Sequence, residues 1–237
     1  MRPGPGWLTR PLPARVRPLP AGVRLLPARA GVTAGYVVAF IATTLSVRTL
    51  PTPARTAWLE WTSTNLVNLR DHPLPALVLS GLFTEGSLTG WLLTALIGLG
   101  VTNRALGNWR TATLIVCAHV GGTLISQGIV AYRIAHGQVP AGDRFMIDVG
   151  PSYVVACALA AGALYGRGLQ RLPALAGFAL FAVDAFAGLS TFEVAAVGHL
   201  CSVVIAGVAG WPLWRSARSR TDRGAALPVA PPDAARV

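Results

Sequence analysis

Six stretches of this chain run for 17 or more residues with at most one acidic side chain: 31–47, 86–102, 111–133, 149–166, 172–189 and 192–213. Once lipid surrounds such a stretch, its backbone N–H and C=O groups find no water, and a helix is the local solution that bonds them all internally. About 20 apolar residues cross a bilayer as a helix, and several of these stretches sit at the short end of that range. The pattern predicts an all-α membrane protein with six transmembrane helices. A further apolar piece, residues 75–84 (PALVLSGLFT), is too short to cross and reads as membrane-associated structure leading into the second span.

Charge supports the same reading. Only 12% of the 237 residues are charged and 53% are hydrophobic, with a mean hydropathy of +0.54. A soluble domain carries roughly 25% charged residues. The net charge of +11 raises the question of nucleic acid. Its distribution argues against that partner. All 20 basic residues are Arg, and they sit in the two ends of the chain and in the gaps between apolar runs, as topology signals do. With both termini placed in the cytoplasm, 15 arginines fall inside and 5 outside. An odd number of spans would spoil that bias.

Three parts follow. Residues 1–30 form an Arg- and Pro-rich tail, expected to be disordered and lacking the pattern of a cleaved secretory signal. Residues 31–213 are the membrane domain, and 214–237 a second disordered tail. The long connection 48–85 contains TAWLEWTSTNLVNLRDHPL, which predicts a partly helical lid at the outer membrane surface, organised by Asn65, Asn68 and His72. The cysteines Cys117, Cys157 and Cys201 lie singly in apolar runs, without metal-ligand spacing, and read as packing residues.

Polar groups inside lipid are expensive, so each marks a site to examine. Ser152 lies in Asp-Val-Gly-Pro-Ser-Tyr at the head of the fourth span, near a helix N-terminus whose free N–H groups can meet developing negative charge. Asp148 is placed to cap that helix. His199 lies in Ala-Val-Gly-His-Leu-Cys-Ser, roughly 10 Å into the sixth span at 1.5 Å per residue. Both fall in the outer half of the membrane, and a serine with a histidine base is a workable nucleophilic pair. Asp184 on the fifth span, at comparable depth, is a candidate orienter of the imidazole, or else a helix-to-helix bonder or a residue nearer the surface. His119 on the third span reads as a packing or bonding residue.

Gly150-Pro151-Ser152-Tyr153-Val154-Val155 resembles the G-x-S-G active-site motif of the rhomboid family of intramembrane serine proteases. Gly198-His199, followed by small residues, is similar to the family's histidine motif. The stretch Gly98 to Gly107 resembles the family's turn after the second span. The resemblance covers roughly residues 33–213. It implies a six-helix rhomboid-like bundle, Ser152 as nucleophile, His199 as general base, and Gly150 and Tyr153 in the surroundings of the oxyanion. It implies a membrane-protein substrate cut near the outer leaflet, and no metal or organic cofactor. Family members carry a His and an Asn four residues apart on the second span; Gly86 and Gly90 stand there in this chain. Tyr153 replaces the glycine after the serine, and Ala156 stands where an aromatic ring would stack on the histidine.

Two readings therefore compete: a protease with a Ser/His dyad, and an inactive relative that binds transmembrane clients. A haem protein using His119 and His199 is disfavoured because the two residues lie at different depths. A transporter is disfavoured because the spans show no repeat and few polar residues to line a path.

Overall fold

A computed structural model describes the backbone of residues 21–225 and the side chains of residues 30–219. Among the described residues the ordered structure is helical, without strands. The order is α1 (Ala21–Arg48), α2 (Thr52–Thr62), α3 (Leu66–Asp71), α4 (Pro73–Leu79), α5 (Leu88–Leu106), α6 (Asn108–Ala135), α7 (Ser152–Tyr165), α8 (Leu172–Ala185), α9 (Val194–Val208) and α10 (Gly210–Ala225), with short 3₁₀ turns in the connections.

Among the described residues, three helical stretches are long and apolar enough to cross a membrane: Ala30–Arg48, Asn108–Ala135 and Val194–Ser219. The other three predicted spans coincide with α5, α7 and α8. Helices α7 and α8 have 14 residues each, shorter than the apolar stretches that contain them. At 1.5 Å per residue they are roughly 21 Å long. Gly150, at φ +133, and Pro151 delay the start of α7, and Gly166 ends it. The expected tails also differ in part. Helix α1 begins at Ala21, and α10 carries the chain as a helix to Ala225. The remaining tail residues, 1–20 and 226–237, lie outside the described part.

The bundle has an apolar exterior and a partly polar interior. Val38, Leu93, Leu180 and Val183 are exposed, whereas Thr44, Thr102, Thr111, Thr123 and Ser202 are fully buried. A water-soluble fold would do the reverse; lipid gives no hydrophobic reason to bury leucine, so small residues and interhelical hydrogen bonds hold the helices instead.

Helix α7 is the axis of the molecule. Tyr153 to Gly162 are all buried, packed against α5, α6, α8 and α9. Gly98 of α5 permits this approach, because a Cβ there would lie 2.9 Å from the backbone nitrogen of Leu159. The Thr102 hydroxyl donates to the Ala158 carbonyl at 2.8 Å across the same seam.

The connection between α1 and α5 forms the expected cap at the end of the bundle where α7 begins. Asn65 caps α3 by accepting from the Asn68 N–H at 2.9 Å. The Asn68 amide donates to the Ser63 carbonyl at 2.8 Å, and His72 stacks on Trp61 with ring centres 5.4 Å apart. Ser80 and Gly81, within the predicted non-crossing piece, are buried.

Candidate functional site

The site forms where the heads of α7 and α9 meet the far end of α6. The Gly150 N–H donates to the Ser80 carbonyl at 2.8 Å, tying the chain just before Ser152 to the cap. Ser152 is the first residue of α7 and is half-buried. Its hydroxyl makes no hydrogen bond among the described residues. As in any α-helix, the first-turn N–H groups of α7 lack intrahelical acceptors.

Tyr153 points inward and is 3% exposed. Its ring lies between two histidines, with centres 6.0 Å from His119 and 5.4 Å from His199. Its hydroxyl donates to the Asp148 carboxylate at 3.2 Å and lies 3.3 Å from the Val194 carbonyl. Gly198 makes room for this ring: a Cβ there would collide with Cζ and the hydroxyl of Tyr153. The glycine beside the histidine is therefore explained by the tyrosine beside the serine.

His199 is held on three sides. Its Nδ1 lies 2.9 Å from the Ala185 carbonyl, so the proton sits on Nδ1 and donates there. Phe181 of α8 stands edge-on at 5.2 Å, a second ring contact beside that of Tyr153. The remaining nitrogen, Nε2, is buried and has no hydrogen-bond partner among the described residues. In this tautomer it carries a lone pair and can accept a proton. No hydrogen bond joins it to Ser152.

Asp184, the sequence's candidate orienter, is exposed, and the acceptor that orients His199 is the backbone carbonyl of its neighbour Ala185. The expected capping role of Asp148 is also corrected. Pro151 occupies the N-cap position, with no side-chain cap bond. Asp148 instead accepts from the Thr64 hydroxyl at 3.1 Å and from Tyr153, which bridges the cap to the core. Burial there pushes its carboxyl above the ordinary carboxylate range, with the bonds from Thr64 and Tyr153 pulling partly back.

Helix α6 contributes a polar stripe that the sequence did not single out. His119, Thr123 and Gln127 recur every fourth residue and are all buried. His119 Nε2 lies 2.9 Å from the Leu77 carbonyl and 3.2 Å from the Ser80 hydroxyl, which anchors the non-crossing piece to α6. The bonding role expected for His119 is thus seen, but its partners lie about 40 residues away. At the second-span positions, Gly86 and Gly90 bring no side-chain donor. Gly86 accepts from the Arg48 guanidinium, and the Gly90 N–H bonds the Ser87 hydroxyl that caps α5.

Ser152 and His199 thus occupy helix heads at one end of an all-helical bundle whose axis carries the G-x-S motif. A sequence model of the family described as rhomboid-like protein matches residues 28–220. The chain belongs to the rhomboid-like family. The match reaches into every described helix of the bundle and includes both candidate residues. Comparisons of this rhomboid-like chain with curated proteins and with solved structures gave no match.

Proposed function

We propose that this rhomboid-like protein is an intramembrane serine protease that cuts other membrane proteins near the outer leaflet, with Ser152 as nucleophile and His199 as base. The observation that carries this reading is the state of His199. Its ring is clamped by Tyr153 and Phe181, its Nδ1 proton is committed to Ala185, and its Nε2 is left unpartnered. A buried acceptor without a partner costs about 1–3 kcal/mol, and a fold that tolerates this is consistent with a base awaiting a proton. Ser152 directly precedes the residue in contact with that ring. A Ser152–His199 hydrogen bond formed on substrate binding would follow a general habit of catalytic hydrogen bonds, which tighten in the bound state.

In the reaction, the Ser152 hydroxyl attacks the scissile carbonyl while His199 Nε2 takes its proton. The first-turn N–H groups of α7 face the developing oxyanion. His199 then returns the proton to the leaving amine, and water releases the acyl group by the same route. Six spans with both termini in the cytoplasm complete the proposal, supported by the six apolar helices and the skewed arginines. The short α7 needs no lipid-matching length, because its neighbours shield its backbone on all sides.

A second reading, an inactive protein that binds transmembrane clients, is favoured by one observation. Gly86 and Gly90 offer no side-chain oxyanion donor, and loss of one such donor lowers turnover by about 10²–10³. Labelling with a serine-directed fluorophosphonate probe in detergent separates the two. The protease reading expects labelling of the wild type that disappears in both Ser152→Ala and His199→Ala. A folded wild type that does not label would favour the client-binding reading.

A further inference from the structure

The two ends of the bundle differ in where their acidic residues lie. All seven carboxylates from Glu60 to Glu193 lie at the end where α7 begins or in its cap. The opposite end, where α5 and α7 finish and α8 starts, carries Arg104, Arg110, Arg167, Arg171, Arg215 and Arg218, and no acidic residue precedes Asp222 there.

A pocket of about 370 Å³ opens at this arginine end, between the α7–α8 connection and α10. Arg167, Arg171 and Arg218 line it, with Tyr165, Trp214 and Leu164. Both ion pairs among the described residues are at the other end, Arg55 with Glu85 and Arg70 with Asp71. The three arginines therefore line one pocket without an ion pair to any carboxylate among the described residues. Arg218 is steadied by stacking over Trp214 at 4.9 Å, and the Tyr165 hydroxyl is fixed to the Gly207 carbonyl at 2.7 Å. The rim is apolar: Leu164 is 57% exposed and Leu169 80%. Trp211, beside Trp214 on α10, is also exposed.

We propose that this pocket binds the phosphate of an anionic phospholipid headgroup. Three like charges brought together in one concavity repel unless an anion lies among them, and arginine forks suit phosphate oxygens. The exposed leucines and tryptophan beside the arginines select a lipid over a free phosphate, because a ligand must bring acyl chains to cover them. Basic pockets between helices at the cytoplasmic face hold headgroups in this way. The site is remote from Ser152 and His199 and does not depend on whether they form a protease.

Native mass spectrometry of the detergent-solubilised full chain tests the proposal, with phosphatidylglycerol or phosphatidylcholine added. The wild type is expected to retain phosphatidylglycerol preferentially. Each of Arg167→Gln, Arg171→Gln and Arg218→Gln should weaken that retention about fivefold, the effect of about 1 kcal/mol per arginine. Arg215→Gln, on the same end but outside the pocket lining, should not. The single variants, all at exposed positions, keep the test valid if a triple variant fails to fold. Equal retention by the three pocket variants and the wild type would overturn the proposal. So would displacement of the lipid by inorganic phosphate at matched concentration, which would mark a site for the free anion.

Discussion

The Tyr153 ring stands edge-on to the His199 imidazole, with centres 5.4 Å apart and planes at 83°. The tyrosine that replaces the glycine after the serine is therefore the residue that steadies the histidine. The ring that Ala156 cannot supply one turn later comes instead from the adjacent residue and, from α8, from Phe181. Tyr153→Ala would empty a buried site and remove a donor to Asp148; large-to-small changes of this kind cost about 3–5 kcal/mol. Tyr153→Phe keeps the ring and leaves Asp148 short of one donor, for about 1–2 kcal/mol. Chemical denaturation in detergent, read by tryptophan fluorescence, should give this order. A Phe variant as damaged as the Ala variant would show that the hydroxyl, and not the ring, carries the contact.

Gly198 is fixed by the same ring. A methyl group there would collide with Tyr153. Gly198→Ala should destabilise the protein by about 1–3 kcal/mol, the usual cost of overpacking. Combining it with Tyr153→Ala should recover part of that loss. A double-mutant cycle measures the coupling, and strict additivity would mean that the two residues do not share the space.

Asp148 sets a pH dependence whose sign follows from burial. Its carboxyl is held above the ordinary range in the folded chain. Such a group contributes stability fully below its unfolded value, about 3.9. The contribution is lost as pH rises through the folded value. Stability should therefore fall over that window in the wild type, and Asp148→Asn should flatten the fall, since the amide oxygen can still accept from Thr64 and Tyr153. Denaturation midpoints across pH 4–8 check this; identical slopes in the two proteins would remove Asp148 as the cause.

Ser152→Ala separates chemistry from folding. The side chain is half-buried and unbonded, so its loss should change stability by no more than about 0.5 kcal/mol. Labelling by the fluorophosphonate probe should vanish at the same time. A large drop in stability would mean that the hydroxyl has a structural partner in solution.

Much of the molecule was legible from one dimension. Each of the six apolar stretches contains or overlaps a helix, because lack of charge and lack of water leave the backbone one option. The organising roles of Asn65, Asn68 and His72 in the cap were readable because they act over a few residues, through capping and local turns. The rhomboid-like family was readable because Gly150-Pro151-Ser152 and Gly198-His199 are short and ordered along the chain.

What the sequence left undecided is what helix packing alone determines. The orienting partner of His199 is the Ala185 carbonyl and not the Asp184 carboxylate, a choice made by a rotation of α8 that no periodicity records. Asp148 bonds Thr64, 84 residues earlier, in place of capping its own helix. The pocket of Arg167, Arg171 and Arg218 joins residues about 50 positions apart. Periodicity tells which face of a helix is apolar, but a site needs the angle and depth at which faces meet. Those are settled by glycines such as Gly98 and Gly198, whose missing side chains let neighbouring groups come close.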